Sequence, residues 1–275
     1  MTAMPTDDIN RAAIYSLRHY VPFSYYARSA EIMAARGGMA QVCICSAFVM
    51  QVRQIWCLVT AGHVLDEIDR ERQAGIELVS FRLWDGWTMG AKYRSYIPFD
   101  FDTAPKFRVN QDGMDYGLIP LRQLLVENLA ANGVVPIGEE HYEKKWPENF
   151  DGYAMIGTPG TTVNLDRHGE RSTKLSQSIC VIHLAEEPNP PQELVKPFPR
   201  FYARILVPED SQEWRAIGGD IRGMSGGPVI AVRRDGNGVH YWVVGVQSGW
   251  LESQRTIAAC HFQTFANYVA EMIDQ

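Results

Sequence analysis

No apolar run in this chain approaches the roughly 20 residues needed to span a bilayer, so a transmembrane helix is excluded. Positions 1–10 are polar, with Asp7 and Asp8, and show no basic segment followed by an apolar one. Cysteine is scarce: Cys43, Cys45, Cys57, Cys180 and Cys260 are odd in number and irregular in spacing, which excludes a disulfide framework and predicts reduced, mostly buried thiols. Together these absences predict a soluble, cytoplasmic protein with no membrane partner. Basic residues are also short, 26 Lys and Arg against 32 Asp and Glu, and they are scattered. A net charge of −6 therefore excludes a nucleic-acid partner. The seven histidines make no His-x-x-x-His or His-Glu-x-x-His pattern, and Cys43-x-Cys45 alone is too little for a metal centre. Neither a metal nor a cofactor is expected.

What the chain does hold is 275 residues with 46% hydrophobic content, enough for one sizeable core or two small ones. Its most informative stretch is Gly223-Met224-Ser225-Gly226-Gly227-Pro228, a hydroxyl nucleophile among glycines that leave backbone N–H groups uncovered. A developing oxyanion needs such donors, here the N–H groups of Gly223 and Ser225. The same stretch also reads as a glycine turn into the strand-like Pro228-Val229-Ile230-Ala231-Val232. A serine hydroxyl is inert at neutral pH without a histidine base and a group that orients it. His63 follows the apolar Trp56-Cys57-Leu58-Val59-Thr60-Ala61-Gly62, and Asp115 precedes the apolar Tyr116-Gly117-Leu118-Ile119. Singly, each also suits a structural histidine or a strand cap.

Gly-x-Ser-x-Gly is equally the nucleophile elbow of α/β-hydrolases, but that elbow runs from strand into helix and is followed by its acid and histidine. Here a strand follows Ser225, and the framed histidine and aspartate precede it. The order His63, Asp115, Ser225, with these flanks, resembles the trypsin/chymotrypsin-like serine peptidases of non-secreted bacterial or viral type. The resemblance implies a mainly β chain of two antiparallel six-stranded β-barrels, with an N-terminal helical extension and a C-terminal helix. It implies a serine endopeptidase acting on protein or peptide substrates through a His63-Asp115-Ser225 triad and an acyl-enzyme. Gly245-Val246-Gln247-Ser248-Gly249-Trp250 resembles the family's substrate-binding strand, so Ser248, Gly249 and Trp250 are substrate-binding candidates, with Ser248 placed to bond the buried aspartate. Gly219 and Asp220 fall where the family lines its primary pocket, and Asp220 would favour a basic side chain there. One departure is Met224, which stands where secreted members carry an aspartate that pairs with a freed N-terminus. The alternative reading is a catalytically silent fold of this type serving as a peptide- or protein-binding module; a regulatory protein partner stays open.

The order of segments divides the chain at 1–40, 41–120, 121–150 and 151–275. Ile9, Ala13, Ile14 and Leu17 predict a helix to about Tyr20, and Ser29 to Ala35 a second one, making 1–40 the helical extension. Strands are expected at 42–52, 55–60, 76–83, 87–96 and 116–120, with a short helix after His63. Leu121 to Asn132 reads as a helix and the run to 149, with the Lys144-Lys145-Trp146 bend, as an irregular link. Further strands are expected at 152–157, 176–183, 201–207 and 239–249. The prolines from 188 to 199 predict an exposed loop, and Asp235-Gly236-Asn237-Gly238 a hairpin turn. Phe265, Tyr268, Val269 and Met272 predict a closing helix over 263–274.

Overall fold

Alternating apolar residues dominate the chain, and strands follow from them. The computed structural model describes residues 6–85, 96–142, 149–168 and 172–274. Its first half runs α1 (Thr6–Ser16), β1 (Phe23–Arg28), α2 (Ala30–Ala35), β2 (Gln41–Cys45), β3 (Phe48–Val52), β4 (Ile55–Thr60), α3 (Gly62–Gln73), β5 (Glu77–Trp84), β6 (Tyr96–Pro98), β7 (Phe107–Gln111), β8 (Met114–Pro120) and α4 (Gln123–Ala131). The second half runs β9 (Gly152–Gly157), β10 (Asn164–His168), β11 (Ser172–Ser176), β12 (Cys180–Glu186), β13 (Arg200–Ile205), α5 (Gln212–Ala216), β14 (Pro228–Asp235), β15 (Gly238–Leu251), β16 (Thr256–His261) and α6 (Phe262–Ile273).

The second half contains the closed six-stranded barrel, in the order β12-β13-β16-β15-β14-β9. Met155, Leu184, Ala203, Val229, Val244 and Ile257 fill its interior. Among the described residues, the first half does not close into the expected second barrel. It forms two four-stranded sheets, β2-β1-β5-β6 and β3-β4-β8-β7, packed over a shared core that includes Phe23, Val49, Leu58 and Leu83. Two local causes account for this. The 42–52 run is not one strand: it breaks at Ser46-Ala47, so β2 and β3 enter different sheets. Residues 1–40 are also not wholly a helical extension, because β1 pairs with both β2 and β5. Its inward side chains, Phe23, Tyr25 and Ala27, alternate at the period of a half-buried strand. The first helix ends at Ser16, and Tyr20 already bridges to Phe48.

Strands β7, β10, β11 and β16 lie outside the sequence expectations, while the hairpin at 235–238 and the helix beginning at Gln123 match them. The expected strand over 87–95 and the Lys144-Lys145-Trp146 bend fall outside the described residues. The linker 121–150 is no loose tether, since Leu129, Val134, Ile137 and Tyr142 are buried. α6 packs on both halves rather than on the barrel alone: Phe262 meets Phe48, and Phe265 stacks on Tyr116 with centroids 4.3 Å apart. Tyr268, expected on the inner stripe, is exposed. A junction core joining Phe48, Met50, Ile156, Val246, Cys260 and Phe262 thus cements the two halves, with α1 adding Ile9 and Ala13. All five cysteines are free, three of them buried and Cys43 and Cys180 partly so. No helix among the described residues is long and apolar enough to cross a membrane.

Candidate active site

His63 stands where β4 hands over to α3. A helix start leaves its first N–H groups without partners, and here Ala61 offers no side-chain cap. Asp115, on the facing strand β8, supplies the acceptor: its Oδ1 takes the His63 backbone N–H at 2.8 Å, and its Oδ2 lies 2.6 Å from His63 Nδ1. One carboxylate therefore caps the helix and orients the ring. With Nδ1–H donating to the carboxylate, the lone pair is left on Nε2, the tautomer a general base needs. The Asp115 side chain is 5% exposed and that of His63 31%, so the acid is sealed and the base open. Burial pulls the His63 pKa down, but the Asp115 hydrogen bond and charge, helped by Glu67 and Asp66, outweigh it and raise it above the ordinary histidine value. Gly62 makes this approach possible, since a Cβ there would stand 2.4 Å from the Val109 carbonyl oxygen and 3.1 Å from Asp115 Oδ1.

The Ser225 loop reaches this pair from the barrel side. Gly226, at φ +91°, lies so close to the end of β4 that a Cβ would fall 2.1 Å from Thr60 Oγ1 and 2.9 Å from the Ala61 nitrogen. The loop is tied to β15 by Gly226 N–H to the Gln247 carbonyl at 2.8 Å and by Gln247 N–H to the Gly227 carbonyl at 2.9 Å. Gly223, at φ +93°, has no room for a side chain against Gly160 and Thr158. Among the described residues, neither the Gly223 N–H nor the Ser225 N–H donates to another protein group. Nor does a hydrogen bond join Ser225 Oγ to His63 Nε2 among the described residues.

A buried hydroxyl group that the sequence reading passed over holds the loop in place. Ser46 Oγ donates to the Gly223 carbonyl at 2.9 Å and accepts from the Thr158 N–H at 3.0 Å and from the Tyr20 hydroxyl at 3.1 Å. Thr60 Oγ1 in turn donates to the Ser46 carbonyl at 2.9 Å. With its one donor and two acceptor positions used, Ser46 is saturated and binds the N-terminal segment, the first half and the barrel to the backbone of Gly223. The one visible signal was a small polar residue interrupting the apolar run 42–52.

The substrate-binding candidates divide. Ser248, Gly249 and Trp250 lie on the part of β15 that outruns β14; there the strand pairs on one side only, with β16. Among the described residues, no hydrogen bond joins Ser248 to Asp115, the bond the resemblance implied. A register shift between Gln247 and Gly249 turns its hydroxyl to Cys260 Sγ, 3.4 Å away, and that thiol sits 3.3 Å from the Gly113 carbonyl. Trp250 packs edge-on against Trp214. Gly219 backs onto the Trp214 indole. Asp220 spends its charge on Arg222, with Oδ1 accepting the Arg222 N–H at 3.0 Å and Oδ2 lying 3.4 Å from its guanidinium, which also meets Glu252 at 3.0 Å. An apolar cavity of about 510 Å³, bounded by α6, β4 and β7, lies on the Met114–Tyr116 face of β8, away from Asp115.

No protein-family model and no curated protein matches the chain. Solved structures to which it is similar include the protease Anisep from Arthrobacter nicotinovorans, at 16% identity and a TM-score of 0.44, covering 92% of this chain and 96% of that one. The thermostable serine protease AL20 from an extremophilic microorganism aligns at 13% identity and a TM-score of 0.43, over 91% and 96% of the two chains. Tobacco etch virus protease complexed with product aligns at 11% identity and a TM-score of 0.42, over 98% and 84%.

Proposed function

We propose that this chain is a serine endopeptidase of trypsin-like organisation, with His63, Asp115 and Ser225 as its triad. The observation that carries the reading is the two-point grip of Asp115 on His63, made at the strand end against which the Ser225 loop packs. Ser225 Oγ attacks the peptide carbonyl while His63 Nε2 takes its proton, and the imidazolium that forms is balanced by Asp115. The oxyanion falls between the N–H groups of Gly223 and Ser225. Collapse expels the amine, protonated by His63, and leaves an acyl-Ser225. Water, deprotonated by the same histidine, then releases the acid. The unpaired edge of β15 at Ser248–Leu251 offers main-chain groups to an extended peptide, which adds to it as a strand.

A second reading, a silent peptide-binding module, draws on the missing Ser225–His63 hydrogen bond. Such bonds are often long in unliganded enzymes and tighten on binding. A fluorophosphonate probe separates the two: covalent labelling at Ser225, lost in Ser225→Ala and reduced by several orders of magnitude in His63→Ala, is the expected result. Absence of labelling in a folded chain would leave the binding module.

A further inference from the structure

Among the described residues, one cation at the junction, Arg200, makes no ion pair. Arg200 opens β13 opposite Cys260 of β16, which in turn lies opposite Val246 of β15. Cys260 and Val246 both belong to the junction core, so this register puts Arg200 on the barrel face turned to the first half. Its Nε donates to the Gly113 carbonyl at 2.8 Å, two residues before Asp115. Its Nη1 lies 3.6 Å from the place a side chain at position 249 would start, a position held by glycine. Gly249 is in turn two residues past Gln247, the residue bonded to Gly226 and Gly227. Arg200 is a partly buried residue, and among the described residues its guanidinium meets no carboxylate, although acids outnumber bases 32 to 26. A partly desolvated cation gains most from an anion that arrives with the right fork geometry.

We propose that Arg200 is a specificity-determining residue and that the site selects peptides carrying an aspartate or glutamate within a few residues of the scissile bond. The inference rests on the peptidase reading. A peptide extended along the open edge of β15 alternates its side chains between two faces, and those turned toward the first half pass over Gly249 to the guanidinium. Glycine at 249 adds no side chain of its own between Ala258, Leu194 and Arg200 Nη1, so the two terminal guanidinium nitrogens are left to pair with a carboxylate. Asp220 shows the contrast, since its charge is already spent on Arg222.

The test begins with active-site titration by fluorophosphonate, which judges the peptidase reading separately. The titrated enzyme is then given a library of amidated peptides, so that side-chain carboxylates are the only ones on offer. The expected result is enrichment of Asp and Glu at one position, and a tenfold to hundredfold fall in kcat/KM when that acid is replaced by its amide. Arg200→Ala should show the same loss on the acidic peptide and little change on the amide peptide, whereas Arg200→Glu should prefer lysine there. Acid-independent cleavage by the titrated wild type, or an acid preference that survives in Arg200→Ala, overturns the proposal. If the alanine variant does not fold, Arg200→Lys takes its place, with a weakened preference expected and an undiminished one counting against it. If the wild type takes no phosphonate, calorimetry with acidic and amide peptides reads the same site, and equal binding of the two overturns it.

Discussion

Asp115 does three things with two oxygens: it caps α3, fixes the His63 tautomer and raises its pKa. Since the base must be neutral to act, activity should fall as pH drops through a pKa above the ordinary histidine value of about 6.5. In Asp115→Asn the main raising influence is lost, leaving only Glu67 and Asp66 against burial, which still pulls down. The acid limb of kcat/KM should therefore move to lower pH, with the plateau reduced on the order of 10⁴-fold. A pH–rate profile of the variant checks both, and an unmoved limb would show that another group titrates. The pairing of His63 with Asp115 was legible in the sequence because each is framed by its own neighbours in the chain, as is Ser225 by its glycines. Ser46, Gly62 and Arg200 were not, because their meaning comes from contacts with residues distant in sequence: Gly223 for Ser46, Asp115 for Gly62, Gly113 for Arg200.

Elements made of a short continuous apolar run or a helical stripe were legible for the same local reason, as β4, β9, β14 and α6 show. β1 was masked by the proline before it, and β16 by the alanines in Thr256-Ile257-Ala258-Ala259-Cys260-His261, which favour strand only in the company of neighbours. The expected closure of the first barrel is not seen among the described residues; closure depends on which strands pair, and Ser46, at the break between β2 and β3, is held by a tertiary hydrogen-bond network. That break can be tested. Ser46→Ala takes a partner from the Gly223 carbonyl, the Thr158 N–H and the Tyr20 hydroxyl; the hydroxyl keeps Thr158 Oγ1 at 2.9 Å, so the cost is roughly 1–3 kcal/mol for each of the two backbone groups left unpaired. A lowered melting temperature is expected, together with slower phosphonate labelling of the protein that remains folded. Labelling at the full rate would show that the loop holds its shape unaided.

Across the whole molecule, the ends of the chain hold the halves together. His19, just past α1, is buried, with Nδ1 2.6 Å from the Val135 carbonyl of the linker and Nε2 2.6 Å from the Tyr241 hydroxyl of the barrel. Burial, with Arg18 and His141 nearby, outweighs the backbone bond and drives its pKa down to about 3. The folded protein thus refuses a proton that the unfolded chain accepts below about pH 6.5. Its stabilising effect is complete above that pH and is lost as pH falls toward 3, at about 1.4 kcal/mol per pH unit. Urea unfolding at pH 7, 5.5 and 4.5 should show this decline, and His19→Gln should flatten it.

Met224 sits wholly buried beside Ser225, with its Cβ 2.8 Å from where a Gly157 Cβ would project. A knob of hydrocarbon in a glycine socket carries no charge to screen and no proton to lose. The turn that presents Ser225 should consequently keep its shape in molar salt and in mild alkali, conditions that dissolve a turn pinned by an ion pair.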